Sequence, residues 1–245
     1  MYRLKRMLRK FGRKLGRYFW SAQNAELGRC AFSDMKRFLP SDAAPLIIDV
    51  GGHIGDSVAL FKKAFPSSMI HSFEPSPQSF EKLKQNTARD SEVFLWNCAI
   101  GAVAGKKTLL QNESSGMSSF LQLGEFGWGK IEKESIVDVT TLDSFLAGHG
   151  IERVDILKSD TQGYELEVLK GAEEALRRNR IGLIYLELIF SPMYKGQPPF
   201  HQIFQHLAAC NFALVSIYGI QYQRNLADWA DALFVNREYF GKRER

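Results

Sequence analysis

The stretch from Asp49 to Asp56, DVGGHIGD, constrains the fold more than any other part of the chain. The apolar run at 46–48 precedes it and the amphipathic segment SVALFKKAF follows it, which predicts a buried strand, a tight turn and a helix. Three glycines in such a turn permit a sharp bend and let a ligand approach the backbone closely. The stretch therefore predicts either a ligand-binding turn or a plain strand–helix corner.

Apolar runs and amphipathic segments alternate along the rest of the body. Their periods predict strands at 46–50, 69–73, 93–100, 106–110, 136–140, 154–158, 182–188, 212–217 and 231–235, and helices at 56–65, 78–89, 141–147, 163–177 and 200–209. The segment 112–130 is rich in Ser and Gly and is predicted to be a loop or a lid. The alternation predicts an α/β fold with a mostly parallel sheet and helices on both faces.

Charge divides the chain into a basic head and a slightly acidic body. Residues 1–20 carry eight Lys and Arg and no acid, whereas the remainder carries 24 basic and 27 acidic residues. Apolar residues of the head recur at helical spacing, which predicts a basic amphipathic helix that either lies on an anionic membrane or packs on protein. We divide the chain into an N-terminal helical extension, 1–40, and one domain, 41–245. The acidic body argues against nucleic acid as a partner.

Two further features bear on location. No uninterrupted apolar run is long enough for a transmembrane helix or a signal peptide. The three cysteines are far apart and form no CxxC motif, which is typical of a reducing compartment. We therefore expect a cytoplasmic protein, with peripheral contact at the inner face of a membrane as the alternative that the basic head allows.

Polar residues stand where the predicted strands end. Five of these strands end at or near a polar residue: Asp49, Glu74, Asn97, Asp160 and Glu187. Ligands of parallel α/β sheets bind beyond the carboxyl ends of the strands. These four acids and one amide therefore mark the edge of the sheet at which we expect a site.

The glycine spacing narrows the choice of cofactor. A dinucleotide fold requires GxGxxG, and the glycines at 51, 52 and 55 are in a different register. The pattern from Asp49 through Gly51 to Gly55 instead resembles the first motif of class I S-adenosylmethionine methyltransferases. Glu74 lies 19 residues after Gly55, where a carboxylate can accept both ribose hydroxyls, although NAD proteins share that spacing.

A closer resemblance is to the FkbM-type methyltransferases. It rests on six stretches in order: IIDVGGHIGDS, HSFEPSPQSFEKLKQN, NCAIG, VTTLDSFL, DILKSDTQGYELEVLKGA and IYLEL. The resemblance implies a class I methyltransferase fold of seven strands with the last antiparallel. It also implies O-methylation of a sugar, a glycan or glycolipid, or a secondary metabolite. The chain departs from the family at His53, where Asn is common, and at Ser159, where an aliphatic residue is usual.

Site residues follow from this interpretation. The S-adenosylmethionine site is assigned to Asp49, Gly51, Gly52, His53, Ile54, Gly55, Glu74, Pro75, Asn97 and Ala99. The chemical step needs a group that orients the acceptor hydroxyl and removes its proton. We prefer Asp160 for this role, with Glu187 second and Gln162 as an orienting group. Asp160 is also a candidate helix cap.

Several alternatives stay open at this point. Asp160 and Glu187 could hold a divalent metal, but no third acid is clearly placed, so no metal is predicted. The segment Ser114 to Ser119 could cover a ligand, and Tyr194 could stack on a sugar or simply pack. A methyltransferase-like scaffold without turnover predicts damaged cofactor motifs, and an NAD-dependent sugar enzyme predicts GxGxxG and YxxxK. A nucleic-acid methyltransferase predicts a basic body.

Overall fold

The computed structural model describes residues 26–40 and 43–241. The basic amphipathic helix predicted for residues 1–20 lies outside these ranges. Within them, no helix is long and apolar enough to cross a membrane.

The secondary structure alternates as the sequence predicts. The α-helices of the described ranges are α1 (Ala31–Phe38), α2 (Asp56–Ala64), α3 (Pro77–Thr87), α4 (Leu142–Gly148), α5 (Glu165–Lys170), α6 (Glu173–Arg177), α7 (Phe200–Ala209) and α8 (Arg237–Gly241). The strands are β1 (Leu46–Val50), β2 (Met69–Phe73), β3 (Val93–Trp96), β4 (Ala99–Ile100), β5 (Gly105–Asn112), β6 (Ile131–Thr140), β7 (Val154–Ser159), β8 (Ile181–Ile189), β9 (Phe212–Gln223) and β10 (Leu226–Asn236).

Seven strands form the main sheet in the order β3-β2-β1-β7-β8-β10-β9. The pairs from β3 to β8 are parallel, whereas β10 is antiparallel to both of its neighbours. The expected class I methyltransferase fold, with seven strands and the last one antiparallel, is therefore confirmed. A second sheet has the order β4-β6-β5.

The inner strands β1, β7, β8 and β10 are buried on both faces, which explains their largely apolar sequences. Side chains alternate between the faces. Ile47 therefore joins the core beneath α1 and α2, whereas Ile48 joins the core on the opposite face, beside Leu169 of α5. Helix α1 adds Met35 to the first of these cores. The described part of the predicted extension thus packs on the body, and the boundary at residue 40 stays a prediction.

Two predicted elements are divided in the structure. The helix predicted for 163–177 is interrupted between α5 and α6, where a Cβ on Gly171 would lie 2.1 Å from the Gly101 carbonyl oxygen. This close backbone approach leaves room only for glycine at position 171. The strand predicted for 93–100 is also two strands, because β3 pairs with β2 in the main sheet while β4 pairs with β6 in the second sheet.

Candidate active site

A cavity of about 260 Å³ lies at the carboxyl ends of the main strands. The glycine turn after β1 forms one wall, the end of β2 another, and the segment 114–120 covers part of it. The ends of β7, β8 and β10 complete the lining. This is the edge at which the sequence predicts a site.

The glycine turn is shaped so that side chains would not fit. Gly51 has φ of +82°, and a Cβ there would lie 2.1 Å from the carbonyl oxygen of Asp160. A Cβ on Gly52 would lie 2.1 Å from Ser72 Oγ. The amides of both glycines donate to the Phe73 carbonyl at 2.9 Å, which ties the turn to the end of β2. The turn thus lines the cavity with bare backbone, which suits a ligand that packs closely against it.

A buried ion pair supports this turn from below. Lys158 Nζ lies 3.0 Å from Asp49 Oδ1 and donates to the Gly51 carbonyl at 2.8 Å. Asp49 Oδ2 also accepts from Ser57 Oγ and Ser72 Oγ, at 2.9 and 2.7 Å. These bonds satisfy two charges that would be costly to bury alone. Asp49 therefore holds the turn in place through its neighbours.

Lys158 was not predicted from the sequence to belong to the site. The signal was a lysine in an otherwise apolar strand, DILKS. In the structure Lys158 is the register partner of Asp49 across β1 and β7, which explains how a lysine is tolerated there.

Glu74 directly follows β2, lines the cavity and is 7% exposed. Its carboxylate accepts from the backbone amides of His53 and Ser76, both at 2.8 Å. Burial raises the pKa of Glu74 to about 7, although these two amides oppose the rise. Glu74 is therefore placed to accept hydroxyl hydrogens from a ligand while its charge changes near neutral pH.

His53 connects the glycine turn to the covering segment. Its backbone has φ of +49°, and its Nε2 lies 2.8 Å from Ser115 Oγ. Burial lowers the pKa of His53, so the neutral imidazole is favoured. All six residues of Ser114 to Ser119 line the cavity. The segment predicted as a loop or lid therefore borders the site. It contains one short 3₁₀ turn, Ser115–Met117.

Gln162 joins the two predicted catalytic acids. Its Nε2 donates to Asp160 Oδ1 at 2.7 Å and to Glu187 Oε2 at 2.9 Å. Its Oε1 accepts from the Tyr194 hydroxyl at 2.8 Å. Both the nitrogen and the oxygen of the Gln162 side-chain amide therefore have hydrogen-bond partners, which fixes the orientation of the amide. The structure brings together all three residues that the sequence proposed for the chemistry.

Two roles considered in the sequence analysis, a helix cap for Asp160 and stacking on a sugar for Tyr194, are not seen in the structure. Asp160 does not cap the next helix, since Tyr164 occupies the N-cap of α5 without a side-chain cap bond. Tyr194 is 2% exposed and packs in the core with Met117 and Met193, so it offers no open face to a sugar. Glu165 accepts from the amide and hydroxyl of Thr161, and burial raises its pKa to about 7.

The residues assigned to the cofactor divide into two groups. Those that line the cavity are Gly51, Gly52, His53, Glu74, Pro75 and Ala99. Asp49 and Gly55 shape the turn, and the Asn97 amide donates to the carbonyls of Glu74 and Pro75 rather than into the cavity. The individual cofactor roles, including that of Ile54, stay predictions. Within the part of the chain that the structure describes, no three His, Cys, Asp or Glu residues are arranged to hold a metal ion.

Sequence reasoning also missed Trp229 and Asp231, which line the cavity from β10. Asp231 is the register partner of Glu187 across the antiparallel pair of β8 and β10. An aspartate inside the apolar run ADALFV was the available signal. Its significance becomes visible only when the register is known, because the two residues are 44 positions apart in the chain.

Comparison with known proteins gives consistent matches. The family described as the methyltransferase FkbM domain matches residues 49–214. The 2-O-methyltransferase NoeI of Sinorhizobium fredii is 26% identical over 70% of this chain and 74% of its own length. The hexuronic acid methyltransferase AglP of Haloferax volcanii is 29% identical over 59% of this chain. The match spans 57% of AglP, less than two thirds of that relative.

A solved structure shows the same fold. It is a methyltransferase FkbM from Methylobacillus flagellatus, with a TM-score of 0.54 and 16% sequence identity. The match covers 82% of this chain and 45% of that chain. At this identity the likeness concerns the fold.

Proposed function

Since the chain belongs to the FkbM family of S-adenosylmethionine-dependent methyltransferases, we propose that it methylates a hydroxyl oxygen of a sugar, a glycan or glycolipid, or a secondary metabolite. The observation that carries the proposal is the Gln162 bridge between Asp160 and Glu187, beside the bare glycine turn in one cavity. The relatives' names support the acceptor class, since NoeI is a 2-O-methyltransferase and AglP acts on hexuronic acid.

The cavity residues fit this cofactor. The turn at Gly51 and Gly52 leaves room for an amino-acid or ribose group against the backbone, and Glu74 can accept ribose hydroxyls. Asp49 and Lys158 hold the turn from beneath. When bound, the cofactor supplies a methyl group that its sulfonium makes electrophilic.

The chain's own residues then orient the acceptor and handle its proton. In this proposal Asp160 accepts the hydroxyl proton, which raises the nucleophilicity of the oxygen. Gln162 fixes the Asp160 carboxylate through its Nε2 and holds Glu187 in the same network. Tyr194 in turn fixes the Gln162 amide. Positioning of this kind can supply a large part of the rate of a transfer that needs in-line geometry.

Calorimetric titration with S-adenosylhomocysteine tests the proposal first. We expect the full chain to bind S-adenosylhomocysteine and not NAD, and to lose that binding in Asp49→Ala and in Glu74→Ala. Lys106→Ala, at an exposed ion pair on the second sheet, is the control and should bind normally. Binding to neither cofactor would contradict the proposal and favour a methyltransferase-like scaffold without turnover.

The affinity for S-adenosylhomocysteine is expected to depend on pH through Glu74. Because the pKa of Glu74 is raised to about 7, part of the population is protonated below that value. Ligand hydroxyls bind better to the ionised carboxylate. Affinity should therefore rise by up to about tenfold per pH unit from pH 5 to 7 and level off above. Glu74→Gln should remove this rise, and a slope that persists in the variant would assign it to another group.

We also propose peripheral membrane contact through residues 1–20. The support is the sequence pattern of eight bases and helically spaced apolar residues, since this segment lies outside the described ranges. The full chain is expected to sediment with vesicles that contain anionic lipid, and a chain lacking residues 1–20 should stay in the supernatant. Equal sedimentation of both chains would contradict the proposal.

A further inference from the structure

Acidic side chains outnumber basic ones around the cavity. Among its described lining residues, five are carboxylic acids and one is a lysine. That lysine, Lys158, is already ion-paired with Asp49 beneath the glycine turn. Two of the acids, Asp56 and Glu74, lie with the turn and the end of β2, whereas three lie on the side of β7, β8 and β10. The cofactor end and the opposite end of the cavity are therefore both rich in carboxylates.

Two of these acids form a carboxylate pair, Glu187 and Asp231. They are direct partners in the antiparallel register of β8 and β10, so both side chains lie on one face of the sheet. Direct partners of this kind have Cβ atoms about 5 Å apart. Each residue is only 5% exposed, and both line the cavity. Two carboxylates this close repel a further negative charge and favour hydroxyl or ammonium donors.

An apolar surface adjoins the carboxylate pair. Trp229 precedes Asp231 by two residues on β10, so the two side chains share a face, and Trp229 also lines the cavity. It packs with Met117 of the covering segment in a small apolar cluster. A pocket with an aromatic wall and a few convergent polar groups suits an amphipathic ring that carries several hydroxyls.

A second, independent feature is compatible with a polar ligand in this cavity. Ser159 is fully buried and lines the cavity, and its hydroxyl has no hydrogen-bond partner within the described residues. An unsatisfied buried hydroxyl is costly, and a hydrogen bond from a polar group of a ligand offsets that cost. Ser159 is also a position at which the chain differs from the family pattern.

We propose that the carboxylate pair of Glu187 and Asp231, with Trp229, selects a neutral or amino sugar as the acceptor and rejects a uronic acid. The proposal rests on the proposed O-methyltransferase function and specifies its acceptor. The carboxylates accept ring hydroxyls, or bind an ammonium group, and Trp229 covers the apolar face of the ring. A sugar carboxylate at the same place would face both acids with no described cation available in the lining except the paired Lys158.

Matched glycosides test the proposal on the full chain saturated with S-adenosylhomocysteine. The probes are the p-nitrophenyl β-glycosides of glucose and glucuronic acid, and of galactose and galacturonic acid, with binding measured by saturation-transfer NMR titration. Within each pair the neutral glycoside is expected to bind at least about tenfold more tightly than the uronide. A uronide that binds as tightly as its neutral partner, or no binding by any glycoside, would overturn the proposal.

Asp231→Asn separates a direct effect of charge from a general loss of fold. We expect it to bring the two members of each pair within about threefold of each other, because one of the two repelling charges is removed. Asp138→Asn, at an exposed position on β6, should leave the preference unchanged. An unchanged preference in Asp231→Asn would also overturn the proposal.

Binding of S-adenosylhomocysteine distinguishes a failure of the proposed function from a failure of the inference about the acceptor. S-adenosylhomocysteine should bind Asp231→Asn as tightly as the unaltered chain, since Asp231 lies on β10, away from the glycine turn. If the unaltered chain fails to bind S-adenosylhomocysteine, the proposed function itself fails. If it binds the cofactor product but shows no preference for neutral glycosides, only the inference about the acceptor fails.

Discussion

Asp160→Asn is expected to lower kcat by about a hundredfold to ten-thousandfold, the usual contribution of a positioned general base. The substitution keeps the size of the side chain and removes its capacity to take the acceptor proton. Asp160 Oδ1 accepts from Gln162 Nε2, and an amide oxygen at the same place can accept that bond too. We therefore expect Asp160→Asn to keep the fold and to bind S-adenosylhomocysteine as tightly as the unaltered chain.

Methyl transfer from radiolabelled S-adenosylmethionine to the preferred glycoside gives the measurement. Asp138→Asn is the control for the same chemical change outside the cavity, and it should keep full activity. Glu187→Gln tests which of the two acids, Asp160 or Glu187, is the general base. A larger loss in Glu187→Gln than in Asp160→Asn would reverse the order that we assign, and normal kcat in both would remove the general base from this network.

The fold could be predicted because the spacing of apolar residues along the sequence differs between strands and helices. A strand buried on both faces is rich in apolar residues, and β1, β2 and β8 were therefore predicted with nearly their observed bounds. The break between α5 and α6 was not predictable, because nothing local distinguishes Gly171 from a helix-interior glycine. The reason for a glycine at this position is distant in sequence, since the Gly101 backbone occupies the space that a Cβ would need.

The candidate site divides in the same way. Asp160 and Glu187 stand next to the carboxyl ends of predicted strands, so they could be placed at the cavity because parallel strands end at a common edge. Lys158 and Asp231 lie within strands, where position in the sequence does not show what faces them. Each becomes part of the site through a register partner, Asp49 for the first and Glu187 for the second.

Gly51→Ala is expected to lower the affinity for S-adenosylhomocysteine by more than about a hundredfold and to destabilise the fold. Two effects combine at this position. The φ of +82° is strained for alanine, at a cost of about 1–3 kcal/mol. The new Cβ would also meet the Asp160 carbonyl oxygen at 2.1 Å, where the clashing atom is backbone and cannot rotate away. Either the turn or the end of β7 must move.

Gly150→Ala separates the cost of a strained φ from the cost of a clash at the new Cβ. Gly150 has φ of +63° after α4, and no atom lies within 4 Å of the position that its Cβ would take. It should therefore lose only about 1 kcal/mol in urea unfolding and bind S-adenosylhomocysteine normally. The difference between the two variants measures the clash with Asp160. Because that clash displaces the glycine turn and the preferred catalytic acid together, kcat in Gly51→Ala should fall even at saturating cofactor. Equal stability and equal binding in both variants would show that the turn relaxes freely and does not set the geometry of the site.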